Sequence, residues 1–298
     1  MSKENWRSAD REEEQSPSES SPLACDPQTG ACLVSGSSGM LATTSASQAA
    51  VIEIEYYTDP VCSWCWASEP ALKRLKEEYG DQVHITYKMG GLLESWRVFY
   101  DGLNDIGKPE QVAPHWVDVS QRSGMPIDEK IWLEDPPDST YPASIAVKAA
   151  QRQGEASGER YLRRVREMGL TERKNIERRE VLLQAAQDVG LDVARFVQDL
   201  DDPATERAFR EEMTDARAQG ISGFPTLVFR NRHGEALVLG GYRSYHTYEL
   251  VLTRLAAGQL ARHQPTDIAA FVARYGHVAS QEVATVFRLS RDEAEQSL

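Results

Sequence analysis

Two cysteines two residues apart are the side chains in this sequence whose types and spacing most clearly indicate chemistry. In "YYTDPVCSWCWASEP", Cys62 and Cys65 follow a strand-like run and precede a helical pattern. A cysteine at the start of a helix meets free backbone N–H groups and a partial positive charge, which stabilise a thiolate. The thiolate is the reactive form of cysteine. The spacing therefore predicts a lowered pKa for Cys62, with Cys65 one turn further on, less exposed and within disulfide distance.

Three roles are open for this pair from the residues alone. As a redox pair, Cys62 would attack a substrate disulfide and Cys65 would resolve the mixed disulfide that forms. As metal ligands, the two would need two more ligands, and Cys25 and Cys32 lack the spacing of a zinc knuckle. As packing residues, they would only fill a helix face. Position at a strand-to-helix junction favours the redox role, with no metal and no organic cofactor.

A second stretch, "GISGFPTLVF", places Phe224 and Pro225 directly before a strand-like run. Proline cannot donate a hydrogen bond to a sheet, so its place at the first residue of a strand has a positional meaning. We predict a cis bond between Phe224 and Pro225, a form almost confined to bonds before proline. It would turn the backbone of Phe224 toward the cysteines, where an extended peptide could pair with it. An ordinary trans bond is the alternative.

The elements that must position these residues follow a recognisable order. "VIEIEYY" predicts a strand, "CWASEPALKRLKEEYG" a helix and "VHITYKMGGLL" a second strand. Amphipathic helical patterns occupy about residues 95–219. "PTLVFRN" and "EALVLGGY" then predict a hairpin, and "SYHTYELVLTRLAAGQL" a closing helix. This order describes an α/β core with a large helical insertion.

Length, composition and charge limit which domain organisation and which classes of partner are expected. The chain has 298 residues and a net charge of −13. We expect a disordered tail over residues 1–48, because large apolar side chains are scarce there, then one domain over 49–260 and a small helical element over 261–298. The acidic balance argues against a nucleic-acid partner. No apolar run has the length of a membrane span, and no signal pattern opens the chain, so we expect a cytoplasmic protein without membrane contact.

The tail contains the other two cysteines, in "CDPQTGAC". The Pro and Gly between Cys25 and Cys32 permit a tight loop, so a reversible disulfide is feasible. One hypothesis makes them an auxiliary redox pair that exchanges with Cys62 and Cys65. The alternative is a surface pair with no catalytic part.

Taken together, the CxxC after a first strand, the helical insertion and the Gly-x-Pro-Thr before a hairpin resemble the thioredoxin-fold oxidoreductases of the DsbA family. The stretches "YYTDPVCSWCWASEP", "DPPDSTYPASIAVKAAQRQG", "NIERREVLL" and "GISGFPTLVF" are similar to its cytoplasmic FrnE-like branch. That branch includes adaptor proteins that deliver a transcription factor to the ClpXP protease. The resemblance covers about residues 51–260 and implies a thioredoxin-like fold with a large α-helical insertion.

The resemblance also implies roles for individual residues. Cys62 would be the nucleophile, Cys65 the resolving thiol and Pro225 the cis-proline. Glu55 would be a partly buried acid under the pair that accepts the proton of Cys65. Glu55 could instead belong only to the polar face of an edge strand.

Three aromatic residues near these positions are candidates for substrate binding, namely Trp64, Trp66 and Phe224, since the turn at the cysteines should expose at least one tryptophan. The expected function is a cytoplasmic thiol–disulfide oxidoreductase or isomerase that acts on protein or peptide clients. The alternative is a non-catalytic or redox-sensing adaptor that binds a regulatory protein and delivers it to a ClpXP-type protease.

Overall fold

A six-stranded sheet forms the centre of the structure, a computed structural model that describes residues 23–25, 29–34 and 51–298. The strand order is β1-β2-β6-β5-β3-β4. β3 and β4 run parallel, and all the other neighbouring strands are antiparallel. The strands are β1 (Leu23–Cys25), β2 (Cys32–Val34), β3 (Ile52–Thr58), β4 (Val83–Met89), β5 (Thr226–Asn231) and β6 (Ala236–Gly240).

A strand–helix–strand unit carries the cysteine pair. β3 leads into α1 (Ser63–Ala67) and α2 (Glu69–Tyr79), and a 3₁₀ turn over Gly80–Gln82 returns the chain to β4. The side chains of Ile52, Ile54 and Tyr56 are buried on one face of β3. Parallel neighbours need such a crossover connection, which places α1 at the carboxyl end of β3. The predicted order of these elements is confirmed.

Between β4 and β5 the chain forms the predicted helical insertion. Alanines of α5 are fully buried at its centre, which lets α6 and α9 pack closely against it. The insertion is therefore part of the core rather than an appendage. Its helices are α3 (Pro109–Ser123), α4 (Ile131–Glu134), α5 (Tyr141–Gln151), α6 (Glu155–Thr171), α7 (Arg179–Asp188), α8 (Val193–Asp201) and α9 (Pro203–Ala218).

The C-terminal helices fold back onto the core. α10 (Tyr245–Ala256) packs against β5 and β3, and it is followed by α11 (Ile268–Tyr275), α12 (Ser280–Phe287) and α13 (Arg291–Ser297). These last three enclose a small apolar cluster that includes Phe271 and Val283. α12 lies against α2. The domain boundaries at residues 49 and 260 stay a prediction.

Part of the segment predicted to be a disordered tail is ordered. β1 and β2 form a hairpin that pairs with β6, with Cys25 opposite Cys32 and Cys32 opposite Val238. An edge strand offers unpaired backbone groups, and a short hairpin satisfies them without a large apolar surface. The rest of residues 1–48 lies outside the described residues.

Candidate active site

The turn after β3 places both thiols at the start of α1. Cys62 is the N-cap residue of this helix, and its sulfur accepts a hydrogen bond from the backbone N–H of Cys65 at 3.2 Å. The side chain of Cys62 is 6% exposed, whereas Cys65 is fully buried. Both are free thiols. Cys65 is the less exposed of the two, as predicted, although both residues are buried.

The two thiols interact with each other, so their acidity belongs to the pair. The pKa of Cys65 is lowered against the effect of burial, by a hydrogen bond from the Cys62 thiol and by the charge of Arg166. Burial, followed by the hydrogen bond and charge of Cys65, raises the pKa of Cys62 well above its usual value. The pair therefore gives up its first proton more readily than its second. This differs from the prediction of a lowered pKa for Cys62, because the helix N-terminus is only one of several contacts.

A buried arginine from the insertion approaches the pair from behind. Arg166, on α6, has no exposed surface. It forms an ion pair with Glu69 and donates a hydrogen bond to the hydroxyl of Thr58. Burial opposes its charge, but the negative groups around it raise the pKa of Arg166 further. The sequence alone does not single out this residue, because "ERYLRRVREMGL" contains several arginines and only packing decides which one is buried.

The Phe224–Pro225 bond is cis, as predicted. Pro225 is buried, and the half-buried ring of Phe224 lies against Gly90. A Cβ atom at Gly90 would be 2.0 Å from Cζ of that ring. Only glycine at position 90 therefore leaves room for Phe224.

A groove of about 830 Å³ opens in front of Cys62. Trp64, Trp96, Phe224 and Tyr242 contribute to its apolar walls. Its dimensions and apolar lining suit an extended peptide segment. The charged residues of its lining are Asp101 and three arginines, Arg122, Arg217 and Arg243.

Comparison with known protein families shows to which family the chain belongs. The sequence profile of the family described as Thioredoxin matches residues 56–250. This chain belongs to the thioredoxin family. The predicted thioredoxin-like fold with a helical insertion is thereby confirmed.

Curated relatives of this thioredoxin-family chain cover most of its length. The ClpXP adapter protein SpxH of Halalkalibacterium halodurans is 37% identical over 249 residues, which are 83% of this chain and 81% of the relative. The ClpXP adapter protein SpxH of Bacillus subtilis is 32% identical over 251 residues, with 83% and 82% covered.

Solved structures show the same thioredoxin-like fold. A putative protein disulfide isomerase from Nitrosomonas europaea superposes with a TM-score of 0.58 at 22% identity, over 69% of this chain and 96% of that structure. The cytosolic disulfide reductase DsbM from Pseudomonas aeruginosa gives a TM-score of 0.56 at 22% identity, over 69% and 100%. The predicted resemblance is confirmed, since the chain is a thioredoxin-fold protein related to SpxH.

Within this thioredoxin-family site, the prediction that Glu55 lies beneath the cysteines is wrong. Side chains alternate along a strand. Tyr56 and Thr58 face the pair, since the Tyr56 hydroxyl donates to the carbonyl of Cys65 at 3.2 Å and Thr58 contacts Arg166. Glu55 is on the opposite face, where its charge acts on Tyr57.

The buried acid next to the pair is Asp59. Its carboxylate accepts hydrogen bonds from the N–H groups of Val61 at 3.0 Å and Leu92 at 2.8 Å, and from the Thr140 hydroxyl at 2.8 Å. Burial raises the pKa of Asp59. Its position in "TDPV" is the available signal, since Asp often bonds the backbone two residues ahead in a turn.

The two tryptophans of the CxxC turn have different surroundings. Trp64 is half-buried and stacks on Tyr242, with ring centroids 5.3 Å apart, so it remains a candidate for client contact. Trp66 is 1% exposed, and its indole N–H donates to the carbonyl of Pro126 at 2.9 Å. The prediction that Trp66 binds substrate is therefore wrong, because its side chain belongs to the core.

The auxiliary pair is only partly described. Cys32 is disulfide-bonded and half-buried, and the side chain of Cys25 lies outside the described residues. Exchange between this pair and the active-site thiols stays a prediction.

No cluster of three or more His, Cys, Asp or Glu side chains within 23–25, 29–34 and 51–298 is arranged to hold a metal ion. No helix in these ranges is long and apolar enough to cross a bilayer.

Proposed function

We propose that this chain catalyses thiol–disulfide exchange with an extended protein segment bound in the groove. One observation carries the proposal. A free dithiol lies at the start of α1, with the sulfur of Cys62 facing the groove that Phe224 also lines. The full burial of Cys65 supports a role in which it reacts with Cys62 rather than with a client. This arrangement separates the attacking sulfur from the resolving one.

The reaction runs in two balanced steps. Transfer of the Cys62 proton to the more acidic Cys65 sulfur makes Cys62 the nucleophile. The Cys62 thiolate attacks one sulfur of a client disulfide, the client S–S bond breaks, and the second client sulfur leaves as a thiolate that takes the proton back from Cys65. The Cys65 thiolate then attacks the Cys62 sulfur and releases the first client sulfur. The client gains two electrons and two protons, and the chain ends as a Cys62–Cys65 disulfide. A cellular dithiol or glutathione-type thiol would reduce it again.

The groove also indicates the class of client. Three arginines against one aspartate give its lining a positive balance in a chain whose net charge is −13. We expect acidic extended segments to bind best. We place this activity in the cytoplasm, where client thiols are kept reduced.

Reduction of insulin by dithiothreitol tests the exchange, with the wild-type chain compared with Cys62→Ser and Cys65→Ser. We expect the wild type to accelerate reduction and both variants to lose the effect. With an acidic disulfide-containing peptide, Cys65→Ser should accumulate a covalent adduct on a non-reducing gel, because nothing resolves it. Cys62→Ser should form none. A folded wild type without acceleration, together with no adduct in Cys65→Ser, would contradict the proposal.

A second candidate function follows from the curated relatives. Those that are 32–37% identical over 83% of this chain are named ClpXP adapter proteins. As an adapter, the chain would bind ClpXP by its surface and would not need its thiols. A pull-down with purified ClpXP should then recover the wild type and the double variant Cys62→Ser/Cys65→Ser equally. If ClpXP recovers neither the wild type nor the double variant, this function is excluded.

A further inference from the structure

The geometry points to Arg122 as a specificity-determining residue that binds a client carboxylate next to the client cysteine under attack. This inference rests on the proposed function. It narrows the client class from acidic segments in general to segments with an acidic side chain at one position beside the disulfide.

The first observation is the group of rings around Trp64, the residue directly before Cys65. The ring of Tyr242 stacks on Trp64, with centroids 5.3 Å apart and 30° between the ring planes. His115 from α3 meets the same indole edge-on, with centroids 6.1 Å apart. All three rings line the groove. The indole of Trp64 is therefore held between two neighbours within the turn that carries the thiols.

The guanidinium of Arg122 lies over this indole. Its Cζ atom is 4.9 Å from the centroid of the Trp64 ring. Arg122 follows His115 by two helical turns, so both side chains lie on the face of α3 that packs toward α1. A planar guanidinium that stacks on an aromatic ring keeps its N–H donors at its edge. The stacking contact therefore places the charge and leaves donors for a client.

Arg122 is also accessible to a client. Its side chain is 63% exposed, and its ion pair with Asp118, at 3.2 Å, joins it to another exposed group. Exposed pairs of this kind contribute little free energy, so a client carboxylate can replace Asp118. Burial lowers the pKa of His115, so at pH 7 the cation beside Trp64 is Arg122.

The other charged residues of the groove are held differently. In the described part of the chain, no aromatic ring lies beneath the guanidinium of Arg217 or Arg243. The carboxylate of Asp101 accepts three hydrogen bonds from its own loop. Arg122 is therefore the groove cation whose place is set by the CxxC turn.

A fixed charge selects one position in a client, whereas a mobile charge attracts acidic groups at many positions. A side chain already held in its binding conformation loses little entropy when the client binds. Since Trp64 lies between the two cysteines, a carboxylate meets Arg122 only close to the client cysteine that Cys62 attacks. Three residues of extended chain span about 10 Å. We therefore expect one preferred acidic position within about three residues of that cysteine.

The test uses uncharged peptides with a single cysteine joined by a disulfide to mercaptoethanol, with dithiothreitol as the reductant. One glutamate or one lysine is placed in turn at each position near the cysteine. The readout is kcat/KM for the glutamate peptide divided by kcat/KM for the lysine peptide. For the wild type we expect a ratio of about five at one position and about one elsewhere.

Variants of Arg122 should change this ratio in a way that general damage cannot. In Arg122→Gln the ratio at the preferred position should fall to about one. In Arg122→Glu it should invert, so that the lysine peptide reacts faster. The inference is overturned if Arg122→Gln keeps the wild-type ratio, or if the wild type prefers glutamate equally at every position.

Arg291→Gln and Arg291→Glu are the matched controls. The side chain of Arg291 is 58% exposed and pairs with Glu295 on its own helix at 2.8 Å, and the described lining of the groove includes no residue of α13. These variants change the net charge by the same amounts and should keep the wild-type ratio. An inverted ratio in Arg291→Glu would assign the effect to net charge and would overturn the inference.

Trp64→Leu tests the stacking contact, because it removes the ring beneath Arg122 and keeps the charge. We expect the preference for glutamate to spread over several positions. A preference that stays at one position would show that Trp64 does not place Arg122, against the inference. Turnover of the peptides by the wild type without any charge preference would overturn the inference alone, whereas a folded wild type that turns over none of them would contradict the proposed function.

Discussion

The carboxylate of Glu282 on α12 lies 2.8 Å from the ammonium nitrogen of Lys73 on α2, and the Glu282 side chain has no exposed surface. The guanidinium of Arg163 contacts the same carboxylate at 2.6 Å. Three elements distant in the sequence therefore meet in one buried ion cluster. This cluster fixes the C-terminal helices to the domain that carries the thiols.

Glu282→Gln should destabilise the chain by about 3 kcal/mol, because it leaves Lys73 and Arg163 as buried charges without a full partner. Urea unfolding at pH 7 measures the free energy of unfolding. The matched control is Glu295→Gln, which removes an exposed carboxylate 2.8 Å from Arg291 and should cost less than about 0.5 kcal/mol. Equal effects of the two variants would show that the cluster does not hold the C-terminal helices.

A second buried carboxylate, Glu78, gives a prediction for the dependence of stability on pH. It accepts hydrogen bonds from Arg262, Tyr245, Arg74 and Arg288, which lower its pKa to about 2 against the effect of burial. Because the pKa of Glu78 is lower in the folded state than its ordinary value, the ionised carboxylate stabilises the fold. This contribution is fully present above about pH 4.5 and is lost as the pH falls toward 2. At pH 7 this contribution is about 3 kcal/mol.

The contribution of Glu78 to the free energy of unfolding is measured by urea unfolding of the wild type and Glu78→Gln between pH 2.5 and pH 7. The difference in free energy of unfolding should be largest at pH 7 and shrink as the pH falls. Glu206→Gln, an exposed carboxylate paired with Arg210, should show almost no difference at any pH. If the difference in free energy of unfolding between the wild type and Glu78→Gln stays constant with pH, the ionised Glu78 carboxylate does not stabilise the fold as stated.

Gly90→Ala should impair client binding more than stability. The added Cβ would meet the ring of Phe224 at 2.0 Å, and this half-buried ring can rotate away from the backbone. We expect turnover of a disulfide-containing peptide to fall about tenfold with a stability loss below about 2 kcal/mol, within the usual cost of overpacking. Exchange with glutathione disulfide, which needs less of the groove, should change little.

Gly223→Ala is the control for this position. It lies in the same loop as Phe224, and an added Cβ there has no neighbour within 4 Å among the described residues. Its peptide turnover should match that of the wild type. If both alanine variants lose turnover equally, the effect belongs to the mobility of the loop rather than to the ring of Phe224.

Local patterns were sufficient for the elements that carry the thiols. The alternation in "VIEIEYY" and the CxxC before a helical repeat predicted β3 and α1, because both depend on neighbours in the chain. The strand after Pro225 was also predicted locally, whereas the cis bond was predicted only because the distant CxxC accompanies Phe224 and Pro225. The β1–β2 hairpin was not predicted, since its stability depends on the edge of β6, more than 200 residues away.

Within the site, the sequence by itself determined which residues can react, and the tertiary structure decided what surrounds them. Cys62 and Cys65 follow from a motif of four residues. Arg166 differs little in sequence from the neighbouring arginines. The way α6 packs onto the rest of the fold decides that the side chain of Arg166 is fully buried and contacts β3. Tertiary packing also decided that Asp59, and not Glu55, is the acid next to the cysteines. It likewise buried Trp66 and left Trp64 partly exposed. Charge and burial depend on groups brought together from distant positions, and a local pattern holds no information about those contacts.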